Sequence, residues 1–417
     1  MTRRPRILVI SPYMCRGDTA AGDLRLHRVI EQLATFAEVD FLTPEAEPLQ
    51  LQRDRRYWSL LRKLGVRIVN PLFIDRLPLW CRSRTSPYDW ILIEFWYLAD
   101  RLASALEELR RELPSALIAI DSVDLNFLRE RAALDCGSNV YGSEAEINLR
   151  QHQEISTYLG ADLVIVCSQE DAQALASVST NPIVVIPIVV LSRPRNRGVR
   201  GNDILFVGGF QHLPNVDAVL WFVHEVFPLI RAKIPDAVFR IVGSHPPAEV
   251  NALQASPGVN VLGYVSDTSS WLDCAAVSVA PLRYGAGMKG KVTEALSAAV
   301  PVVTTTFGAQ GLGARSGKHL HIADNAAKFA EAVIETLAEP AKAEQMGLDG
   351  QALAESICGS KVVCAKLIET FTPIAASPNR SLVSRGRFVI ARVKCLILPL
   401  RMHLARTYLM RRQISSH

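Results

Sequence analysis

Short apolar, β-branched runs alternate with amphipathic helical stretches along most of the chain, and this alternation limits the folds open to it. Strand-like runs fall at Arg6–Ser11, Val39–Thr43, Trp90–Phe95, Ala116–Asp121, Asp162–Cys167 and Ile183–Ile186. Helical patterns lie between them at Gly22–Thr35, Leu98–Leu113, Val123–Leu134 and Ser143–Tyr158. Short apolar strands separated by helices predict a parallel sheet covered on both faces. Ligands of such sheets bind beyond the carboxyl ends of the strands. That rule singles out Pro12–Gly22, Glu94–Tyr97 and Asp121–Asn126.

The pattern breaks once. The stretch Pro187–Asn202 carries Pro194, Gly198 and Gly201 with Arg193, Arg195, Arg197 and Arg200, and reads as a linker. Alternation then restarts at Asp203–Gly208, Asp217–Ala232, Val238–Val242 and Val259–Leu262. The prediction is an α/β protein of two doubly wound, Rossmann-like halves facing each other across a cleft. Their expected bounds are 1–190 and 203–372, followed by a basic tail, 378–417. At 417 residues the chain can bury two cores. A hydrophobic share of 49% with 21% charge excludes a disordered chain. The eight cysteines are scattered, with no CxxC and no histidines at zinc spacing, which predicts reduced thiols and a cytoplasmic setting. Arg6–Ser11 is too short for a signal-peptide core, and no apolar run reaches membrane-spanning length.

The chemistry concentrates in Ala275–Val303, where apolar runs bracket a Gly-rich loop carrying Arg283, Lys289 and Lys291. Glycines let backbone N–H groups approach an anion, and the following helix start adds partial positive charge. Three cations on so short a loop suit a diphosphate. Glu294, one turn into the helix, would repel phosphate but can accept bonds from a ribose diol. Gly285–Lys291 also spells G-x-x-x-x-G-K, most of a nucleotide-triphosphate loop, but Val292 stands where a Mg²⁺-binding hydroxyl belongs.

From this point a family resemblance is visible. The run ILFVGGFQHLPNVDAVLWFV (Ile204–Val223), then FRIVGSHP (Phe239–Pro246), VNVLGYVSDTSSWL (Val259–Leu272) and the Ala275–Val303 stretch together resemble the donor domain of GT-B glycosyltransferases. The GT4 group of retaining enzymes is the nearest in pattern. In the first half, IDSVDLNFLRERAALD (Ile120–Asp135) is similar to an acceptor-domain segment of bacterial polysaccharide-type members. The resemblance implies a GT-B fold and sugar transfer from a nucleotide-diphosphate sugar to a glycan or lipid-linked glycan. Carried over by position, Glu294 holds the donor ribose, and Arg283, Lys289 and Lys291 face the diphosphate. Arg283 and Lys289 are the implied catalytic groups, stabilising charge on the leaving phosphate. Gly208 and Gly209 match the turn where backbone passes the donor, and Leu262–Asp267 matches the loop contacting the base. No cofactor or metal is implied, because the cations replace it.

Two positions depart from the family pattern. Ala286 replaces a second glutamate, so contacts near the sugar fall to backbone amides at Gly287–Lys289. Asn126 stands where related segments carry histidine, and it cannot carry a proton near neutral pH. On the acceptor side, Asp121, Asp124 and Asn126 at a predicted strand end are candidates for binding hydroxyls, with helix capping as the alternative role. Phe95–Trp96–Tyr97 is a candidate ring-stacking trio or core, and His212 and Asn215 are candidate cleft residues. A non-catalytic relative, a sugar-nucleotide epimerase and a P-loop NTPase are the rival functions.

Charge is uneven. From Thr370 onward there are nine lysines and arginines and no acid, so the rest of the chain is net negative although the total is +5. Val389, Ile390, Val393, Leu396, Ile397, Leu400 and Leu404 share one helical face flanked by these cations, a pattern suited to an anionic membrane surface. A second basic run, Arg53–Arg84, falls in the first half. Peripheral attachment to the inner face of the plasma membrane follows as an expectation. Nucleic acid is not an expected partner, since the remaining chain is acidic and no reading motif is present.

Overall fold

The computed structural model describes residues 3–17, 21–43, 54–69, 76–82, 87–194 and 201–372. The basic tail 378–417 lies outside them, as do parts of Arg53–Arg84 and the linker arginines Arg195, Arg197 and Arg200.

The first half is a seven-stranded sheet of order β3-β2-β1-β4-β5-β6-β7, with every neighbouring pair parallel. Its strands are β1 (Arg6–Ile10), β2 (Glu38–Leu42), β3 (Arg67–Ile68), β4 (Trp90–Glu94), β5 (Leu117–Asp121), β6 (Leu163–Val166) and β7 (Ile183–Val185). Its helices are α1 (Ala21–Phe36), α2 (Arg55–Lys63), α3 (Leu77–Arg82), α4 (Trp96–Arg101), α5 (Ala103–Glu112), α6 (Asn126–Asp135), α7 (Glu144–Gly160) and α8 (Gln169–Ala176). Alternate residues of each strand face opposite layers, which is why the apolar runs are continuous. Leu8, Ile10, Ile91, Ile93, Ile118 and Ile120 enter one core, while Ile7, Val9, Leu92, Ala119 and Ile165 enter the other. Each fully buried Leu or Ile contributes about 1.5–3 kcal/mol.

The second half is a six-stranded parallel sheet of order β10-β9-β8-β11-β12-β13. Its strands are β8 (Asp203–Val207), β9 (Val238–Val242), β10 (Val259–Gly263), β11 (Val277–Ala280), β12 (Val302–Thr304) and β13 (His321–Ile322). Helix α9 (Leu213–Trp221) runs through a π turn (Phe222–Val226) into α10 (Phe227–Arg231). Then come α11 (Ala248–Ala252), α12 (Ser269–Cys274), α13 (Gly290–Ser297), α14 (Ala326–Ala338) and α15 (Pro340–Cys358). Leu213–Arg231 is apolar and long enough to cross a membrane, but Phe222, Val226, Phe227 and Ile230 bury it in the core of this half.

Three expectations shift. The predicted helix Leu98–Leu113 is two helices, α4 and α5, with Leu102 between them at φ −84°, ψ 0°. The helix expected from Val123 starts at Asn126, because Val123 has φ 60°, a left-handed conformation that cannot continue a helix. Its first N–H groups are satisfied from α7 instead: Glu154 accepts from Asn126 and Phe127 at 2.9 and 2.8 Å. Finally, α16 (Ser360–Phe371) lies within the predicted second half but packs on the first. Its Val363, Leu367 and Phe371 recur every four residues and enter the first-half core, Phe371 meeting Trp90 edge-on at 5.2 Å. The chain therefore crosses between halves twice, side by side, where Val190 N–H donates to Cys358 O at 2.9 Å.

Candidate active site

The carboxyl ends of both sheets face one cleft, and the loop from β11 into α13 projects across it. Gly287, at φ +69°, sits against the β5–α6 turn: a Cβ there would lie 3.0 Å from Asp124 Cβ and 3.3 Å from Val123 O. Gly290, the first residue of α13, is as close to the start of α1, where a Cβ would meet Ala21 Cβ at 2.9 Å. Only glycine allows both approaches. Val123 is itself strained, since a β-branched residue rarely adopts positive φ.

Each of the loop's cations has its own partners. Lys289 is buried, and its amine donates to the carbonyls of Ala286 (2.9 Å) and Gly287 (2.6 Å) and to Gln310 Oε1 (3.3 Å). Burial lowers its pKa to about 8, against the pull of Asp171 and Asp124. Lys291 donates to Asn215 Oδ1 at 2.6 Å and lies 5.2 Å from the centre of the Phe206 ring. Burial, and then Lys289, take it down to about 7. Arg283 is half-exposed and gripped by Asp217 of α9, with one bond at 2.9 Å. Gly208 lies under Lys291, whose Cε would be 3.1 Å from an added Cβ, and Gly209 O accepts from Asn215 Nδ2 at 2.6 Å. Thus Gly208, Gly209, Asn215 and Lys291 form one contact group, joined in sequence only at a distance.

Glu294 is half-buried on α13 and accepts from Thr268 Oγ1 at 2.5 Å, at the end of the loop that follows β10. Burial depresses the pKa of Arg28 of α1, with the Glu294 charge opposing, so this carboxylate is also near the first half. Across the cleft, Asp124 pairs with Arg129 of α6. Asp121 is 1% exposed and pairs with Arg25 at 2.5 Å, while its other oxygen accepts from Val123 N–H at 3.2 Å. Asn126 is half-buried beside these residues. Phe95 and Tyr97 stack with centroids 5.2 Å apart, whereas Trp96 turns into the core.

Several residues here carry no local sequence signal. Arg129 faces the loop lysines and His212. His212, a cleft candidate in the sequence, is exposed just before α9, and partial desolvation, then the charges of Arg129, Lys291 and Lys289, lower its pKa. Asp171 of α8 is buried, accepts from Ser168 at 2.7 Å and from the Gly287 N–H, and is raised to about 6 mainly by desolvation. Glu94, the last residue of β4, is 3% exposed and is raised to about 8 by burial. Its position at a strand end was legible, but its burial was not. Among the described residues, no group of three or more His, Cys, Asp or Glu is placed to hold a metal ion. A groove lined by Asp203, Arg240, Trp271 and Cys274 lies at the amino end of β8, away from the loop lysines.

Residues 201–339 match the family model described as Glycosyl transferases group 1. A curated Klebsiella pneumoniae protein, described as an uncharacterized 44.6 kDa protein in cps region, is 26% identical over 140 residues. That match covers 32% of this chain and 36% of the relative, so it spans about a third of each. Among solved structures, sucrose-phosphate synthase from Thermosynechococcus elongatus aligns with TM-score 0.64 at 15% identity, over 88% of this chain and 98% of that one. Anabaena HepE, solved with UDP and glucose, aligns with TM-score 0.62 at 12% identity, over 89% and 100%. TarM of S. aureus, solved with UDP and α-GlcNAc-glycerol among its ligands, aligns with TM-score 0.54 at 13% identity, over 68% and 55%. These likenesses show the GT-B fold.

Proposed function

We propose that this chain, which has the GT-B fold and belongs through residues 201–339 to the glycosyl transferases group 1 family, transfers a sugar from a nucleotide-diphosphate sugar. The acceptor is a hydroxyl of a glycan or lipid-linked glycan, and the anomeric configuration is retained, as in the GT4 group. One observation carries this reading: Lys289, Lys291, Glu294 and the start of α13 meet on one loop at the carboxyl end of the second sheet. Two amines and the helix N-terminus suit a diphosphate, and the half-buried carboxylate suits a ribose. HepE was solved with UDP, which makes a uridine donor the first to test. The relative from a cps region supports a glycan acceptor.

In this reading the leaving diphosphate departs on the face that the acceptor hydroxyl attacks. The bond from the anomeric carbon to the phosphate oxygen breaks, the bond to the acceptor oxygen forms, and the phosphate takes the acceptor proton. Lys289 exchanges its carbonyl partners for phosphate oxygen, and Arg283 exchanges Asp217. Both then stabilise charge that grows in the transition state. No metal is needed for that task. The protein works in the cytoplasm, with its basic tail on the inner face of the membrane.

A thermal-shift panel of UDP-, GDP-, ADP- and dTDP-sugars against wild type and Lys289→Ala tests the donor assignment. One nucleotide class should raise the melting temperature of wild type and not of the variant. No shift with any donor would overturn the reading.

A further inference from the structure

Glu94 sits at the carboxyl end of β4, in the middle of the first sheet, between the ends of β1 and β5. Ser11 Oγ donates to Glu94 Oε2 at 2.6 Å and lies 2.7 Å from Tyr13 O, so one hydroxyl proton faces two acceptors. Burial pushes the Glu94 carboxyl up to about 8, against the Ser11 hydrogen bond and the charge of Arg25, and so favours the neutral form. Its second oxygen, Oε1, is buried and has no hydrogen-bond partner among the described residues.

An unpaired buried oxygen is costly, and a native protein keeps one where something else completes it. The surroundings indicate what that is. Phe95, the next residue, is forced to φ 66° and stacks on Tyr97 at an interplanar angle of 12°. Tyr13 is 59% exposed, and burial and then Tyr13 raise the pKa of Tyr97, which places the two side by side. Asp124, which touches the donor loop at Gly287, acts on Tyr97 as well, so the aromatic group adjoins the loop.

We infer that Glu94, Tyr13 and the Phe95–Tyr97 ring pair form a seat for one uncharged sugar ring on the acceptor side. The rings cover its apolar face, and Oε1 accepts from a ring hydroxyl, directly or through one bridging water. A carboxyl without charge does not repel a hydroxyl oxygen and holds no cation, so the seat selects neutral sugars. This rests on reading the first half as the acceptor side.

Saturation-transfer NMR with methyl glucoside, methyl galactoside and methyl N-acetylglucosaminide, with and without UDP, reads the seat directly. Wild type should bind at least one glycoside, and Glu94→Gln, which keeps a neutral group of the same shape, should stay within about threefold. Glu94→Leu and Tyr13→Ala should weaken it about tenfold or more, a loss expected of a buried hydrogen bond or ring contact, with UDP affinity unchanged. Groups facing Glu94 are Ser11 and Cys15 at the β1 end, Asp23 and Arg25 of α1, Asp121 of β5 and Tyr97 of α4. As Glu94 ionises above about pH 8, glycoside binding by wild type should fall while that of Glu94→Gln stays flat. Equal binding in all variants, or no binding to wild type, overturns the seat. Glycoside binding without UDP binding would overturn the donor reading and leave the seat standing. Should Glu94→Leu fail to fold, the exposed Tyr13→Ala and the pH profile still decide.

Discussion

Burial lowers the pKa of Lys289 to about 8 and that of Lys291 to about 7, so a diphosphate bound beside them would favour proton uptake. With free values of about 8 and 7, and higher values beside phosphate, protons are taken up between the free and bound pKa. Donor affinity is then full below pH 7 and falls as pH rises through the bound-state values. Calorimetry of UDP binding at pH 8 in buffers of differing ionisation enthalpy should show proton uptake, reduced in Lys291→Ala. Heats that do not depend on buffer would contradict it. At the same scale, if Glu294 holds the ribose as proposed, Glu294→Ala should weaken UDP by about 1–3 kcal/mol, read in the same titration. An unchanged affinity would remove Glu294 from the ribose.

The loop from β11 into α13 works as an element because glycine lets it press on the opposite half. Gly287→Ala places a methyl 3.0 Å from Asp124 Cβ in a left-handed conformation. The cost should be about 1–2 kcal/mol, directed against this approach of the two halves. Small-angle scattering should show a larger radius of gyration than wild type, and a matching profile would mean that the cleft does not depend on this contact. The β5–α6 turn on the other side pays its own strain at Val123, with Glu154 from α7 supplying the cap that the local residues lack.

Over the whole molecule, α16 returns the chain to the first half and closes its core. Phe371→Ala, at a fully buried position against Trp90, should cost about 3–5 kcal/mol and unfold the first half in chemical denaturation before the second. A chain ended after Ser377 keeps α16 and should melt as wild type does, while losing sedimentation with anionic vesicles if the tail is the anchor. Vesicle binding that survives this cut would rule the tail out.

The sequence by itself determined the two parallel sheets, since continuous β-branched runs such as Ile7–Ile10 and Leu205–Val207 can be buried only between helical layers. It also placed Lys289, Lys291 and Glu294 side by side, because a loop and one helical turn hold them within six positions. Tertiary structure decided the rest. Asp171, Arg129 and Glu94 lie more than a hundred residues before the loop they serve or adjoin, at strand and helix ends where such residues usually cap or solvate. Whether a carboxylate there meets an arginine, as Asp121 meets Arg25, or keeps one buried oxygen without a partner among the described residues, as Glu94 does, depends on which elements the sheets bring alongside. The return of α16 was hidden for the same reason: its apolar face has the helical period of any other, and only packing shows which core it completes.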